Sequence, residues 1–163
     1  YQPSSGNRKS IFSLDNLWDG LGALVVDYPK IKYFFGKVTM YPDYNKMGRD
    51  LILGFLSYFF PNKENWIEAK NPLKGHHDIS FFIKKIENLE YKLAYKELIK
   101  SLRDLECSLP PLIAAYMNLS LTMRSFGTAL NTNFGQVEET GILISIEDIY
   151  SEKKDRHINT YIK

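Results

Sequence analysis

The feature that most constrains this chain is a change of hydrophobic period along its length. Between residues 11 and 27 apolar side chains recur at helical spacing: Ile11, Leu14, Leu17, Trp18, Leu21, Leu24 and Val25. Ser10 or Ser13 can cap that helix, and Pro29 stops it. The next run, IKYFFGKVTM at 31–40, is aromatic and β-branched and reads as a strand. Gly36 inside it marks a bulge or a close backbone approach. YPDYN then turns the chain, with Asp43 as the expected cap. Tyr44, Met47, Leu51, Phe55 and Tyr58 line one face of a second helix, which Pro61 ends.

Residues 61–75 read as loop, with a short strand at 66–69, and ISFFIKK at 79–85 reads as another strand. The spacing predicts a helix over 89–106 and a short one after Ser108, opened by prolines. FGTALNTNFG reads as loop because of its two glycines. TGILISIEDI alternates Ile142, Ile144 and Ile146 and reads as a half-buried strand. Residues 150–163 form a polar C-terminal helix or tail. Helices alternating with strands predict an α/β or α+β fold, with helices packed on a sheet and residues 1–163 in a single domain.

Of 163 residues, 44% are hydrophobic, enough for a core of that size. Twenty-one basic and 19 acidic residues leave a net charge of +2, which gives no global case for nucleic acid. No apolar run approaches the ~20 residues needed to span a bilayer. The lone Cys107 permits no intramolecular disulfide and reads as an inert thiol. His76, His77 and Asp78 are adjacent, which does not converge three ligands on a metal, so no metal site is expected. A single histidine here, His76, is instead a candidate general base. Nine aromatics crowd residues 33–60 (Tyr33, Phe34, Phe35, Tyr41, Tyr44, Phe55, Tyr58, Phe59 and Phe60). Most read as core, and some could line an apolar slot for a long acyl chain.

The opening stretch, QPSSGNRKS, is small, polar and basic and feeds the first helix. A helix start offers unpaired N–H groups and the positive end of the dipole. Gly6, Arg8 and Lys9 add close approach and charge, so Ser4, Ser5, Gly6, Asn7, Arg8 and Lys9 are candidates for holding a phosphate. The spacing is not that of a P-loop.

Three stretches together resemble one family. RKSIFSLDNLWDGLGALVVDYPKIKYFFGKVTM resembles a helix bearing Leu-Trp-x-Gly that runs into a strand bearing Phe-Gly-x-Val-Ser/Thr. YNKMGRDLILGFL resembles the helix that follows, and LPPLIAAYMNLS with FGTALNTNFGQVEETGILISI resembles a later segment. The family is the hemolysin-like branch of the GNAT superfamily, similar to ornithine-lipid and glycine-lipid N-acyltransferases. The resemblance implies a mixed, mostly antiparallel sheet flanked by helices. It also implies transfer of a (3-hydroxy)acyl group from acyl carrier protein or coenzyme A to the α-amine of a small amino acid, in aminolipid synthesis. No cofactor is then permanently bound; acyl carrier protein and the amino-acid acceptor are the partners. The expected location is cytoplasmic, with peripheral contact at the inner membrane face.

The family's phosphate loop corresponds to Gln2–Lys9, with Gln2 and Gly6 present but their spacing changed by one. The chain starts at Tyr1 and lacks the family's N-terminal half, so it is expected to be a C-terminal portion with an incomplete sheet. Its open edge would be satisfied by the missing segment or by a homodimer. In such enzymes a strand N–H meets the thioester carbonyl, which nominates Gly36 and Val38 for pantetheine contact. Tyr41, Tyr44 and Tyr116 are candidates to protonate the leaving thiolate. An acidic carrier would dock on a basic rim formed by Arg8, Lys9, Lys30, Lys32, Lys37, Lys46 and Arg49. The contrasting expectation, from another class, is a non-catalytic membrane-surface or protein-binding module with an aromatic groove.

Overall fold

A computed structural model describes residues 11–161. The element order is α1 (Ile11–Asp27), β1 (Tyr33–Met40), α2 (Lys46–Phe59), α3 (Ser80–Ile86), α4 (Tyr91–Asp104), α5 (Pro111–Met117), β2 (Arg124–Asn131), β3 (Val137–Ser145) and α6 (Ser151–His157), then a 3-10 turn at Asn159–Tyr161. This is the expected mixed α+β class, with one three-stranded antiparallel sheet in the order β1–β3–β2. The chain falls into two compact units, one running through residue 34 and resuming at residue 145, the other spanning Phe35–Ile144.

In the larger unit β3 is the central strand. Ile142, Leu143 and Ile144 are all buried, so both of its faces are covered there, not the one face that alternation predicts. β2 pairs with it antiparallel through Arg124–Leu143, Thr128–Thr140 and Asn131–Val137. The register shifts between Ser125 and Thr128, at Gly127, whose φ of +81° only glycine adopts easily. FGTALNTNFG is therefore largely strand, and its first glycine is a bulge inside it.

Helix α2 lies against β2, α3 and α4. Its cap is Asn45, whose Oδ1 accepts the Gly48 N–H at 2.9 Å, in place of the expected Asp43. Leu51, Ile52, Phe55 and Leu56 are buried against Ala94, Leu98 and Leu102 of α4. Phe55, Phe59, Phe60, Tyr91 and Tyr95 form one aromatic cluster with ring centroids 4.6–6.4 Å apart. ISFFIKK is helix rather than strand: Phe82 and Ile86, four residues apart, are fully buried while Phe81 is exposed. Its aromatic, β-branched composition gives way to a tertiary surface that accepts an i, i+4 pair. No strand forms at 66–69; Pro72 makes an isolated bridge to Ala129 instead.

In the smaller unit α6 packs on α1. A Cβ at Gly22 would lie 1.5 Å from the His157 carbonyl oxygen, so the two backbones touch where only glycine fits. Asp19 and His157 join the helices at 2.7 Å, and Arg156 reaches Asp15 at 2.5 Å. Leu17 and Leu24, one heptad apart on α1, remain exposed. Among the described residues no helix is long and apolar enough to cross a membrane.

Candidate functional site

Buried charge is concentrated at one place, the first turns of α2. Arg49 and Asp50 follow each other there, and the helix carries both into the core, at 1% and 4% exposure. Such charges persist only when paired and hydrogen-bonded. The Arg49 guanidinium donates Nε and Nη2 to Asp50 Oδ1, at 2.9 and 2.7 Å, and Nη1 to Glu138 Oε1 of β3 at 2.6 Å. Lys46 Nζ adds a bond to the same Glu138 oxygen at 3.2 Å. Two cations thus balance two carboxylates.

The other oxygen of Asp50 organises the chain that returns to α2 before α3. Oδ2 accepts the backbone N–H groups of His76 and His77, and it lies 2.9 Å from His77 Nδ1. Burial alone would raise the Asp50 pKa. Hydrogen bonds from His77, Arg49 and the two N–H groups outweigh it and hold the carboxyl below its ordinary value. With a hydrogen on Nδ1, His77 donates to the ionised Asp50, and Nε2 is the ring nitrogen the carboxylate does not hold. His77 is 41% exposed and Asp50 3%. A fixed, buried carboxylate therefore orients a solvent-reachable imidazole, the arrangement of a general base.

Asp50 and His77 both line a cleft of about 760 Å³. Its walls are α2 (Leu53, Gly54, Ser57), the irregular segment 61–79, and β2 from Ser125 to Thr128. Segment 61–79 crosses the cleft as a strap fastened at several points. Asn62 donates Nδ2 to the Ile67 carbonyl at 2.9 Å, and Leu73 donates its N–H to Thr128 at 2.7 Å. Arg124 pairs with Glu64 and lies 4.4 Å over the Trp66 ring.

The expected site residues disperse around this centre. His76 is exposed and contributes its backbone N–H to Asp50; the side chain on the carboxylate is that of its neighbour His77. Gly36 and Tyr116 are brought together: a Cβ at Gly36 would lie 3.2 Å from the Tyr116 hydroxyl. Burial raises the Tyr116 pKa, which keeps that hydroxyl a proton donor. Val38 is buried in the core at 1% exposure. Tyr44 donates to the Ser108 carbonyl at 2.7 Å, and burial, with the Cys107 thiol beside it, pushes its pKa up. Tyr41 is largely exposed. Ser4, Ser5, Gly6, Asn7, Arg8 and Lys9 lie outside the described residues.

Two further groups stand apart from this cleft, and for one the expectation is corrected. None of the nine aromatics of residues 33–60 lines the cleft; Phe126 does, and Phe55 and Phe60 are core. Arg49 cannot belong to a docking rim because it is buried and doubly paired, and Lys37 and Lys46 bind Glu139 and Glu138.

Sequence reasoning missed Asp50 and His77. The available signal was Arg-Asp at the buried start of an amphipathic helix, a pair that must find partners elsewhere in the chain.

No protein-family model matches this sequence, and no solved structure matches it. Two curated proteins do. The chain is 50% identical over its whole length to the glycine N(alpha)-acyltransferase of Phocaeicola vulgatus, and 48% identical to that of Bacteroides thetaiotaomicron. It spans about half the length of each, 50% and 48% respectively.

Proposed function

We propose that this chain works as part of an N-acyltransferase that moves a (3-hydroxy)acyl group from a thioester of acyl carrier protein or coenzyme A to the α-amine of glycine, in aminolipid synthesis. The likeness to two glycine N-acyltransferases supports the reaction class. The observation that carries the reading is His77, held on buried Asp50 at the wall of a cleft. Glycine's amine is protonated at neutral pH and must lose a proton before it attacks. His77 Nε2 takes that proton. The neutral nitrogen then forms a C–N bond to the thioester carbonyl carbon, and the C–S bond breaks. The excess proton on nitrogen passes to the departing thiolate. The products are N-acylglycine, the free thiol, and one proton returned from His77 to solvent.

The test is turnover by the full-length polypeptide carrying this chain, with N-acylglycine measured by mass spectrometry. A general base contributes ~10²–10⁴-fold to rate, so His77→Ala and Asp50→Asn are expected to lower kcat by at least a hundredfold. His76→Ala, which keeps the backbone N–H, is expected to stay within threefold of the parent. Equal activity in His77→Ala and the parent would refute the assignment.

A further inference from the structure

We infer that the cleft between α2, the strap and β2 receives the hydrocarbon chain of the acyl donor. This inference rests on the acyl-transfer reading above and assigns the substrate portion that its cleft takes.

The argument is one of charge and surface. The cleft's volume of about 760 Å³ falls within the ~300–1,000 Å³ of small-molecule sites. Leu53, Ile67, Leu73, Ile79 and Phe126 give it apolar walls from three different segments. Among the described residues its ionisable groups are Asp50, Glu68 and His77. Asp50 is already paired with Arg49, so a neutral chain displaces no ion pair on entering. The Asp50 oxygens it would pass are already satisfied, Oδ1 by Arg49 and Oδ2 by the His76 and His77 N–H groups. His77 lines the same cleft, so a chain lying in it carries its thioester end to the base.

The α2 wall is also shaped for length discrimination. At Gly54 a Cβ would fall 2.3 Å from Ile79 Cδ1, so the missing side chain on α2 is what lets Ile79 lie flat against the helix. Leu53 of α2 and Ile67 of the strap line the same cleft. Neither of these residues hydrogen-bonds through its side chain, and neither belongs to the Asp50 network.

Two measurements on the full-length polypeptide test this. The first is fluorescence titration with cis-parinaric acid methyl ester, a neutral chain with no headgroup charge. Leu53→Trp and Ile67→Trp are expected to weaken its Kd at least tenfold, whereas Arg156→Ala, outside the cleft, binds it like the parent. The second is competition among donor thioesters of 10 to 18 carbons. The tryptophan variants are expected to shift the N-acylglycine products toward shorter chains, and Leu53→Ala toward longer ones. Should a tryptophan variant fail to fold, Leu53→Ala and Ile67→Ala decide by the same product distribution. Ester binding and product lengths unchanged in folded wall variants would overturn the chain assignment, whatever His77→Ala does. Full turnover by His77→Ala with normal ester binding would instead remove the catalytic reading and leave the chain site standing.

Discussion

Two histidine–aspartate pairs in this chain share a hydrogen bond and differ in which partner is buried. In the larger unit His77 meets Asp50 at 2.9 Å, with the imidazole 41% exposed and the carboxylate 3%. In the smaller unit His157 meets Asp19 at 2.7 Å, with the imidazole 10% exposed and the carboxylate 38%. Inverting the burial inverts which partner is fixed. Asp50 is held by five hydrogen bonds from Arg49, His76 and His77, so the solvent-reachable member of the pair is the ring. His157 has its ring buried between two helices, and its pairing with a partly solvated carboxylate fastens α6 to α1. A histidine–aspartate contact therefore carries little functional meaning until its exposure is known.

The sharpest way to break the contrast is to remove what fixes Asp50. Arg49→Ala leaves two buried carboxylates without their guanidinium, which costs ~3–5 kcal/mol in comparable buried pairs. Urea unfolding is expected to show a loss of that size; a change below about 1 kcal/mol would mean the network is solvated in solution.

Acid unfolding probes the same carboxylate with a definite sign. The Asp50 pKa is depressed in the fold, so its contribution is fully present above the unfolded value of about 3.9 and is lost as pH falls through the folded value. The parent's urea midpoint, compared with that of Asp50→Asn, is expected to keep a constant lead from pH 7 to pH 5 and to lose it below about pH 4. A lead that persists into strong acid would contradict the depressed value.

The smallest effects belong to the other pair. His157→Ala is expected to cost about 1 kcal/mol, because Asp19 regains water when its partner goes. Arg156→Ala, which removes an exposed ion pair to Asp15, should cost less than about 0.5 kcal/mol. Neither change is expected to alter turnover, and a tenfold loss of activity in His157→Ala would erase the distinction between the pairs.

Much of the fold was legible because the periodic segments are long. α1 follows its predicted bounds, and α2, α4, α5 and β1 lie close to theirs, while β3 begins earlier than the predicted 140–149 strand and ends at Ser145. The misreadings share a cause: short segments whose composition contradicts their surroundings. ISFFIKK looks like a strand until Phe82 and Ile86 find the α2 surface, and β2 hides behind a glycine that marks its bulge. The site was less legible than the fold. Gly36 could be nominated as the irregular point of its strand, through the family resemblance, and Tyr116 from its position near an element end. Asp50 and His77 lie 27 positions apart with an irregular strap between them, and no local pattern announces that they meet.

Arg49 reaches Glu138 across 89 positions of sequence, and that span has a kinetic consequence. Long-range closure carries an entropic cost, so this contact is expected to form later than the local helices. Until it does, the guanidinium lacks one of its acid partners, and the carboxylate that positions His77 is less firmly placed: a neighbouring-residue pair depends on a strand far along the chain.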